Sequence, residues 1–471
     1  MNFSSELDNN QVFTTIGKAA DRLGVACYVV GGYVRDLIMK RPSKDVDFVC
    51  VGSGIALAQE VARSLGGLRV TIFKNFGTAR IDWDGFELEF VGARKESYRE
   101  DSRKPLVEDG TLEDDQNRRD FTINAMAISL NAGSWGMLVD PFDGMTDIKK
   151  KIIRTPQAPE ITFSDDPLRM MRAIRFAAQL NFDIEASTFE AIGTNASRLK
   201  IVSMERIIDE LNKIILTPKP SYGFKLLFHS GLLKEFFPEM EELHGVENID
   251  NKGHKDNFYH TLQVLDNTAK TSEDLWLRWA AILHDIAKPA TKRFDKVHGW
   301  TFHGHEDKGA RMVPKIFRRL KLPLDERMLF VQKLVRLHLR PIALAKAVTD
   351  SAIRRLLFDA GEDIEALMLL CRADITSKND EKVAKYLKNF DLVEERMGAV
   401  EEKDKVRNFQ PPIKGDEIIE LFNIPAGPIV GEIKEQIKDA ILDGEIENDK
   451  EQAFQLMLKI AEKKGLNRIN K

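Results

Sequence analysis

The chain has 471 residues, 43% of them hydrophobic, and a net charge of −4. This length suggests about three domains of ~150 residues with apolar material for several cores, and the charge argues against a protein that coats nucleic acid non-specifically. No stretch nears the roughly 20 apolar residues of a membrane span. The polar start "MNFSSELDNN" has no apolar signal segment, and Cys27, Cys50 and Cys371 lack zinc spacing or a disulfide framework. A cytoplasmic chain with no membrane partner is expected.

Strand and helix signals alternate over the first 150 or so residues. "ACYVVGG" and "DVDFVCVG" read as buried strands, and "GIALAQEVARSLGG" as an amphipathic helix ending at a glycine pair. "LRVTIF", "GTARIDW" and "FELEFVG" follow as short strands. The stretch from Ala93 to Asn117 is so charged that a mobile loop is expected. "FTINAMAISL" reads as the start of a helix, and beyond Asp165 strand signals nearly vanish. Eight of the nine histidines lie between His244 and His338, in a helical block. A last block follows the breaker "QPPIKGDE". The fold class is α+β: a small N-terminal mixed sheet with helices over residues 1–150, then mostly all-α regions at 151–245, 246–380 and 381–471.

The chemistry begins at "VVGGYVRDLIMKRPSKDVDFVCVG", Val29 to Gly52. Residues i and i+2 of a strand share a face, so Asp45 and Asp47 project side by side. Like carboxylates so placed repel unless a cation sits between them. Hard oxygen ligands of this kind suit Mg²⁺, which takes one or two carboxylates plus substrate phosphates. Gly31 and Gly32 allow backbone N–H groups to approach a phosphate, and Arg35 can pair a phosphate oxygen. Glu89 in "FELEFVG" is the candidate third carboxylate, with Glu87 on the same face.

In this order, these residues resemble the head of the class II nucleotidyltransferases, the tRNA CCA-adding enzymes and bacterial poly(A) polymerases. "RRDFTINA" (Arg118 to Ala125) is similar to the second family motif, "DPFDGMTDI" to the hinge, and "DDPLRMMRAIRFA" to the segment that reads the incoming nucleotide. "MERIIDEL" resembles the helix start that buttresses it. The resemblance implies a polymerase-beta-like head followed by a helical neck and body. It also implies nucleotide contacts from Arg118, Arg119, Asp120, Asn124, Arg172 and Arg175. The polar stretch before Arg118 would be a lid that rearranges between C and A.

Asp166 and Arg169 are i and i+3, so they are expected on one face of a helix. An Asp acceptor and an Arg donor match the edge shared by cytosine and adenine, and reject guanine and uracil. In the resembled family this pair is the amino-acid template; the plainer reading is an N-cap with an ion pair. The implied reaction is attack of a tRNA 3′-hydroxyl on the α-phosphate of CTP or ATP. Family poly(A) polymerases carry a basic pair after the second strand, absent from "VTIFKNFGTARIDW". CCA addition is favoured on that ground; CC-only, A-only and poly(A) products stay open.

The histidine block resembles the HD metal-dependent phosphohydrolases. His260, the His284–Asp285 doublet and Asp374 form their H…HD…D set, and His305 and His338 are candidates for a second metal. Divalent metals of unidentified kind are implied there, with an end phosphate or 2′,3′-cyclic phosphate as the hypothetical substrate. "PAGPIVGEIKEQI" resembles the tail segment that contacts tRNA, where a helix N-terminus can face a phosphate.

Overall fold

A computed structural model gives the architecture of residues 1–74, 77–99, 102–249, 252–344, 349–376, 380–404 and 410–468. Asn75–Phe76 of the segment compared with poly(A) polymerases, Glu100–Asp101 of the polar stretch and Ser377 after Asp374 lie outside the described residues. The chain divides into two compact units, Met1–Glu241 and Glu242–Lys471.

The first unit holds a seven-stranded mixed sheet. Its strands are β1 (Cys27–Val30), β2 (Asp45–Cys50), β3 (Thr71–Phe73), β4 (Thr78–Trp83), β5 (Phe86–Gly92), β8 (Ala127–Ser129) and β9 (Leu138–Val139), in the order β3-β4-β5-β2-β1-β8-β9. β2 and β5 run parallel at the centre, so β5 is not an edge. Alternation along β2 buries Val46 and Phe48 and leaves Asp45 and Asp47 exposed, as strand geometry demands. Phe48 stacks on Phe90 of β5 at 5.0 Å, and Phe13 packs against Phe48 at 6.0 Å. The helices Gln11–Leu23 and Gly54–Ser64 cover this apolar face.

Two expectations fail here. The stretch after Ala93 is not a loop: β6 (Arg94–Arg99) and β7 (Ser102–Asp109) form an antiparallel ribbon, followed by the helix Leu112–Asn117. Charge excluded a packed core but not a two-stranded ribbon, whose backbone satisfies itself. Thr111 and Asp114 form a capping box that starts the helix. "FTINAMAISL" is a short 3₁₀ turn, Thr122–Asn124, and then β8; pairing with β1 overrides its helical period.

Beyond the sheet the first unit is helical, with Pro159–Asp165, Leu168–Leu180 and Met204–Ile215 the elements that matter for the site. In the second unit the helices Asn257–Thr271, Leu275–Leu283, Glu326–Leu337 and Ile364–Asp374 pack together, and His305–Arg319 packs on Glu326–Leu337. The last three helices, Gly415–Phe422, Pro428–Asp443 and Lys450–Lys463, share a core around Ile418, Phe422, Ile433, Ile437 and Met457.

Candidate active site and metal centre

In the first unit a cleft of about 390 Å³ opens above β2 and β5. The parallel register sets Asp47 opposite Glu89 and Asp45 opposite Glu87. Asp47 and Glu89 line the cleft. The Asp47 carboxyl is raised by desolvation, with Arg119 opposing and Asp45 adding to the rise. Glu89 is raised likewise by desolvation and by Asp47. Neighbouring acids pushed up in this way, against the opposing pull of Arg119 on Asp47 and of Arg80 and Arg94 on Glu89, make a negative site that suits a divalent cation. Glu87 is instead held by Arg80 at 2.8 Å.

The opposite wall carries the cations. Arg118, Arg119, Arg169 and Arg172 line it together with Asp120 and Asp166. Arg118 and Arg119 are aimed by one residue that the sequence reading passed over. Asp115 is fully buried and accepts from Arg118 Nε at 3.0 Å and Arg119 Nη2 at 2.9 Å. Burial works against charge on Asp115, but the two guanidiniums hold its carboxyl below the usual range. Next to it, Gln116 Nε2 donates to the carbonyls of Ala125 and Val139, which ties the short helix to the sheet.

Gly31 stands at φ +75°, and a Cβ there would meet Arg119 Nη1 at 3.0 Å and Asp47 Oδ2 at 3.6 Å. The backbone therefore comes close to the cleft, as expected of a glycine turn. Gly32 opens the helix Gly32–Ile38 beside Arg35. The structure does not bring Arg35 to the cleft lining: its guanidinium is buried, donating to Asp36 and to Asn124 Oδ1 at 2.8 Å. Asn124 donates on to Asp120 at 3.1 Å, and Asp120 accepts from Arg172 Nε at 2.8 Å. Burial would raise the Asp120 carboxyl, yet Arg172 and Asn124 hold it low. Arg175 also points elsewhere, pairing Glu210 at 2.5 Å over the Phe176 ring. Arg35, Asn124 and Arg175 thus form a polar frame behind the wall.

Asp166 and Arg169 do not share a helix. Asp166 precedes Leu168–Leu180 in extended conformation, and its Oδ1 accepts the Leu168 N–H at 3.1 Å. Capping and base reading are therefore not alternatives for this carboxylate, since Oδ1 caps while the residue still lines the cleft. Its ion pair is with Arg206 at 3.0 Å, not with Arg169. Arg169 is anchored on the carbonyl of Arg118 and, at 3.3 Å, that of Thr162. Arg206, from "MERIIDEL", also lines the cleft; its helix is 40 residues from Asp166 in sequence, so no local pattern could reveal the pair.

In the second unit all six expected ligands converge, each near a helix end. His260 Nε2 lies 2.9 Å from Asp374 Oδ1, His284 Nε2 3.2 Å from Asp285 Oδ2, and His305 Nε2 3.2 Å from Asp285 Oδ1. His338 Nε2 is 3.4 Å from His305 Nε2. Asp285 thus belongs to two groups, His260–His284–Asp285 and Asp285–His305–His338. His284, His305 and His338 each donate Nδ1–H to a carbonyl, of Ala281, Phe302 and Val335, which turns each Nε2 inward. Burial would lower His284, but Asp285 and Asp374 carry it up to about 10. His338 is pushed down to about 4, first by burial and then by His284. Asp285 Oδ2 is shared inside this buried cluster, facing His284 Nε2 and, at 2.6 Å, Lys288 Nζ. This donor set of imidazole nitrogen and carboxylate oxygen fits divalent transition metals.

The cleft and its strand-borne carboxylates define a nucleotidyltransferase head. Comparison with known proteins agrees. The Poly A polymerase head domain matches residues 27–154, the probable RNA and SrmB-binding site of polymerase A residues 181–243, and the HD domain residues 257–379. The chain is 32% identical over 430 residues to an A-adding tRNA nucleotidyltransferase of Deinococcus radiodurans, covering 89% of this chain and 92% of the relative. It is 32% identical over 375 residues to a multifunctional CCA protein of Nitrosococcus oceani, covering 75% of this chain and 85% of that one. A solved tRNA nucleotidyltransferase in complex with a primer tRNA and an incoming ATP analogue is 26% identical with a TM-score of 0.57, over 82% of this chain and 99% of the other. The chain belongs to the tRNA nucleotidyltransferase family and is an enzyme. Among the described residues no helix is long and apolar enough to cross a membrane.

Proposed function

We propose that the enzyme adds CCA to tRNA 3′ ends from CTP and ATP without a nucleic-acid template. The observation that carries this reading is one cleft with Asp47 and Glu89 on its floor and Asp166 and Arg169 on its wall. The floor suits phosphoryl chemistry. The wall offers one acceptor and one donor, the pattern that both C and A satisfy. Asp45, Asp47 and Glu89 would hold Mg²⁺, which supplies charge stabilisation at the attacking and leaving oxygens. Arg118 and Arg119, set by Asp115, hold the nucleotide's anionic end. Asp120 keeps Arg172 pointed at the cleft, and Asp166 with Arg169 orients the base so that the 3′-hydroxyl meets the α-phosphate in line.

A second reading, addition of the terminal A alone, is favoured by the name of the Deinococcus radiodurans relative, which matches 89% of this chain. The experiment that separates them uses tRNA lacking its 3′ end, incubated with CTP alone, ATP alone and both. Growth by three nucleotides only with both supports CCA addition. Extension by A only on a tRNA already ending in CC supports the second reading, and long A tails sink both.

For the second unit we propose a metal-dependent phosphohydrolase centre acting on RNA-end or cyclic phosphates. Its support is the convergence of two three-ligand groups that share Asp285, with Asp374 against His260 Nε2 at 2.9 Å.

A further inference from the structure

One ligand of the histidine centre differs from the rest. Three of its imidazoles have Nδ1 committed to a main-chain carbonyl. His260 does not: its Nδ1 faces Lys255 Nζ at 2.9 Å and Thr376 Oγ1 at 3.0 Å, and Lys255 also donates to Thr376 Oγ1. An ammonium only donates. While Lys255 stands there, Nδ1 is the acceptor and His260 carries its proton on Nε2, aimed at Asp374 Oδ1 at 2.9 Å. In that tautomer His260 has no lone pair for a metal. The other tautomer needs an acceptor at Nδ1, and the Thr376 hydroxyl is already in reach. Lys255 therefore has to leave. Its side chain starts at an exposed position just before the Asn257–Thr271 helix, so it is free to swing. A second ammonium, Lys288 Nζ, flanks the same centre, 2.6 Å from Asp285 Oδ2.

We infer that Lys255 is the oxyanion anchor of this centre, and that a phosphate drawing Lys255 off Nδ1 converts His260 into a metal ligand. Phosphate and metal then bind with positive coupling, and Thr376 is the acceptor that holds His260 in its ligating tautomer. The ligand class is a phosphate group presented over the metals, as an RNA-end phosphate or a free nucleotide would present it. This rests on the phosphohydrolase reading of the centre.

The test is calorimetric titration of Mn²⁺ into metal-free full-length protein carrying Asp45→Ala and Asp47→Ala, which removes head binding, with and without inorganic phosphate. In this parent, phosphate should tighten Mn²⁺ at least tenfold. Lys255→Met should bind Mn²⁺ more tightly than the parent in the absence of phosphate, and most of the phosphate gain should vanish. Thr376→Val should weaken Mn²⁺ in both conditions, while Thr376→Ser restores it. Unchanged metal affinity and an unchanged phosphate gain in Lys255→Met would overturn the anchor. A parent that binds no more Mn²⁺ than its His284→Ala derivative would instead show that the metal-centre reading itself has failed. Repeating the titration with adenosine 3′-monophosphate in place of phosphate distinguishes a nucleotide-specific site from a plain anion site.

Discussion

The two candidate centres solve the problem of holding charge in opposite ways. The head presents carboxylates on adjacent strands of an open cleft, and its guanidiniums are aimed by buried acids such as Asp115 and Asp120. The histidine centre is closed: His284 and His338 are essentially inaccessible, and its ligands contact one another from helix ends. Strand pairing fixes which residues face the same side but leaves them spread along a surface, so the head is complete only with an anionic substrate over it. Helix ends converge on a point, so the second centre can be completed by small ions. The head accordingly forms no three-ligand cluster among the described residues, whereas the histidine centre forms two.

The sharpest way to break this comparison is to disable one centre and read both. Asp47→Ala should lower nucleotide incorporation on the order of 10³-fold, the scale of losing a main electrostatic stabiliser of a reaction. Metal binding at the histidine centre should be unchanged. Retained incorporation in a primer-extension assay would refute the head assignment. Reciprocally, His284→Ala should abolish hydrolysis of 2′,3′-cyclic or terminal phosphates and leave incorporation at the parent rate. A loss of both activities would mean the two units are not functionally separable.

How much of this was legible in the sequence follows the same division. The strand alternation of Asp45, Val46, Asp47 and Phe48 is local, and it alone places both carboxylates on one face. The six candidate ligands of the histidine centre were legible as a set because residue type and order are restrictive. What stayed hidden depends on contacts distant in sequence. Arg35 looked like a phosphate ligand because its neighbours are glycines, but Asn124, 89 residues on, takes its donor. Asp166 and Arg169 looked like a helical pair, yet Pro167 starts the helix between them and Asp166 turns to Arg206. Asp115 was lost in a run of charge that reads as solvent-loving, although its carboxylate is buried between two arginines. Lys255 and Thr376 are 121 residues apart, and nothing in either segment signals the other.

Smaller effects test the wall of the cleft. Asp166→Ala should relax base choice by about 10- to 100-fold, the ~1–3 kcal/mol of a good two-point base contact. UTP and GTP incorporation against CTP and ATP measures it. Unchanged discrimination would assign Asp166 to capping alone, through the Leu168 N–H bond. Gly31→Ala should cost about 1–3 kcal/mol of backbone strain, because φ is +75° and the added carbon crowds Arg119 at 3.0 Å.

The prediction that separates positioning from mere stability concerns Asp115. Asp115→Asn keeps the shape but leaves Arg118 and Arg119 without their shared carboxylate. Removing one partner of a buried pair costs about 3–5 kcal/mol; both arginines reach solvent in part, so the lower end is expected, read by urea unfolding. The sign of the pH effect follows from the carboxyl being held below its ordinary value. Its contribution to stability is complete above the ordinary carboxylate pKa of about 4 and is lost as pH falls through the lower folded value. The variant should therefore show a flatter acid limb than the parent. If Asp115 aims the two arginines at the nucleotide, KM for CTP and ATP should also rise, while KM for tRNA stays near the parent value. Asp115→Glu should recover part of the nucleotide KM. A variant that loses stability yet keeps both KM values would make Asp115 a structural acid, and the head's cations would then owe their placement to the sheet alone.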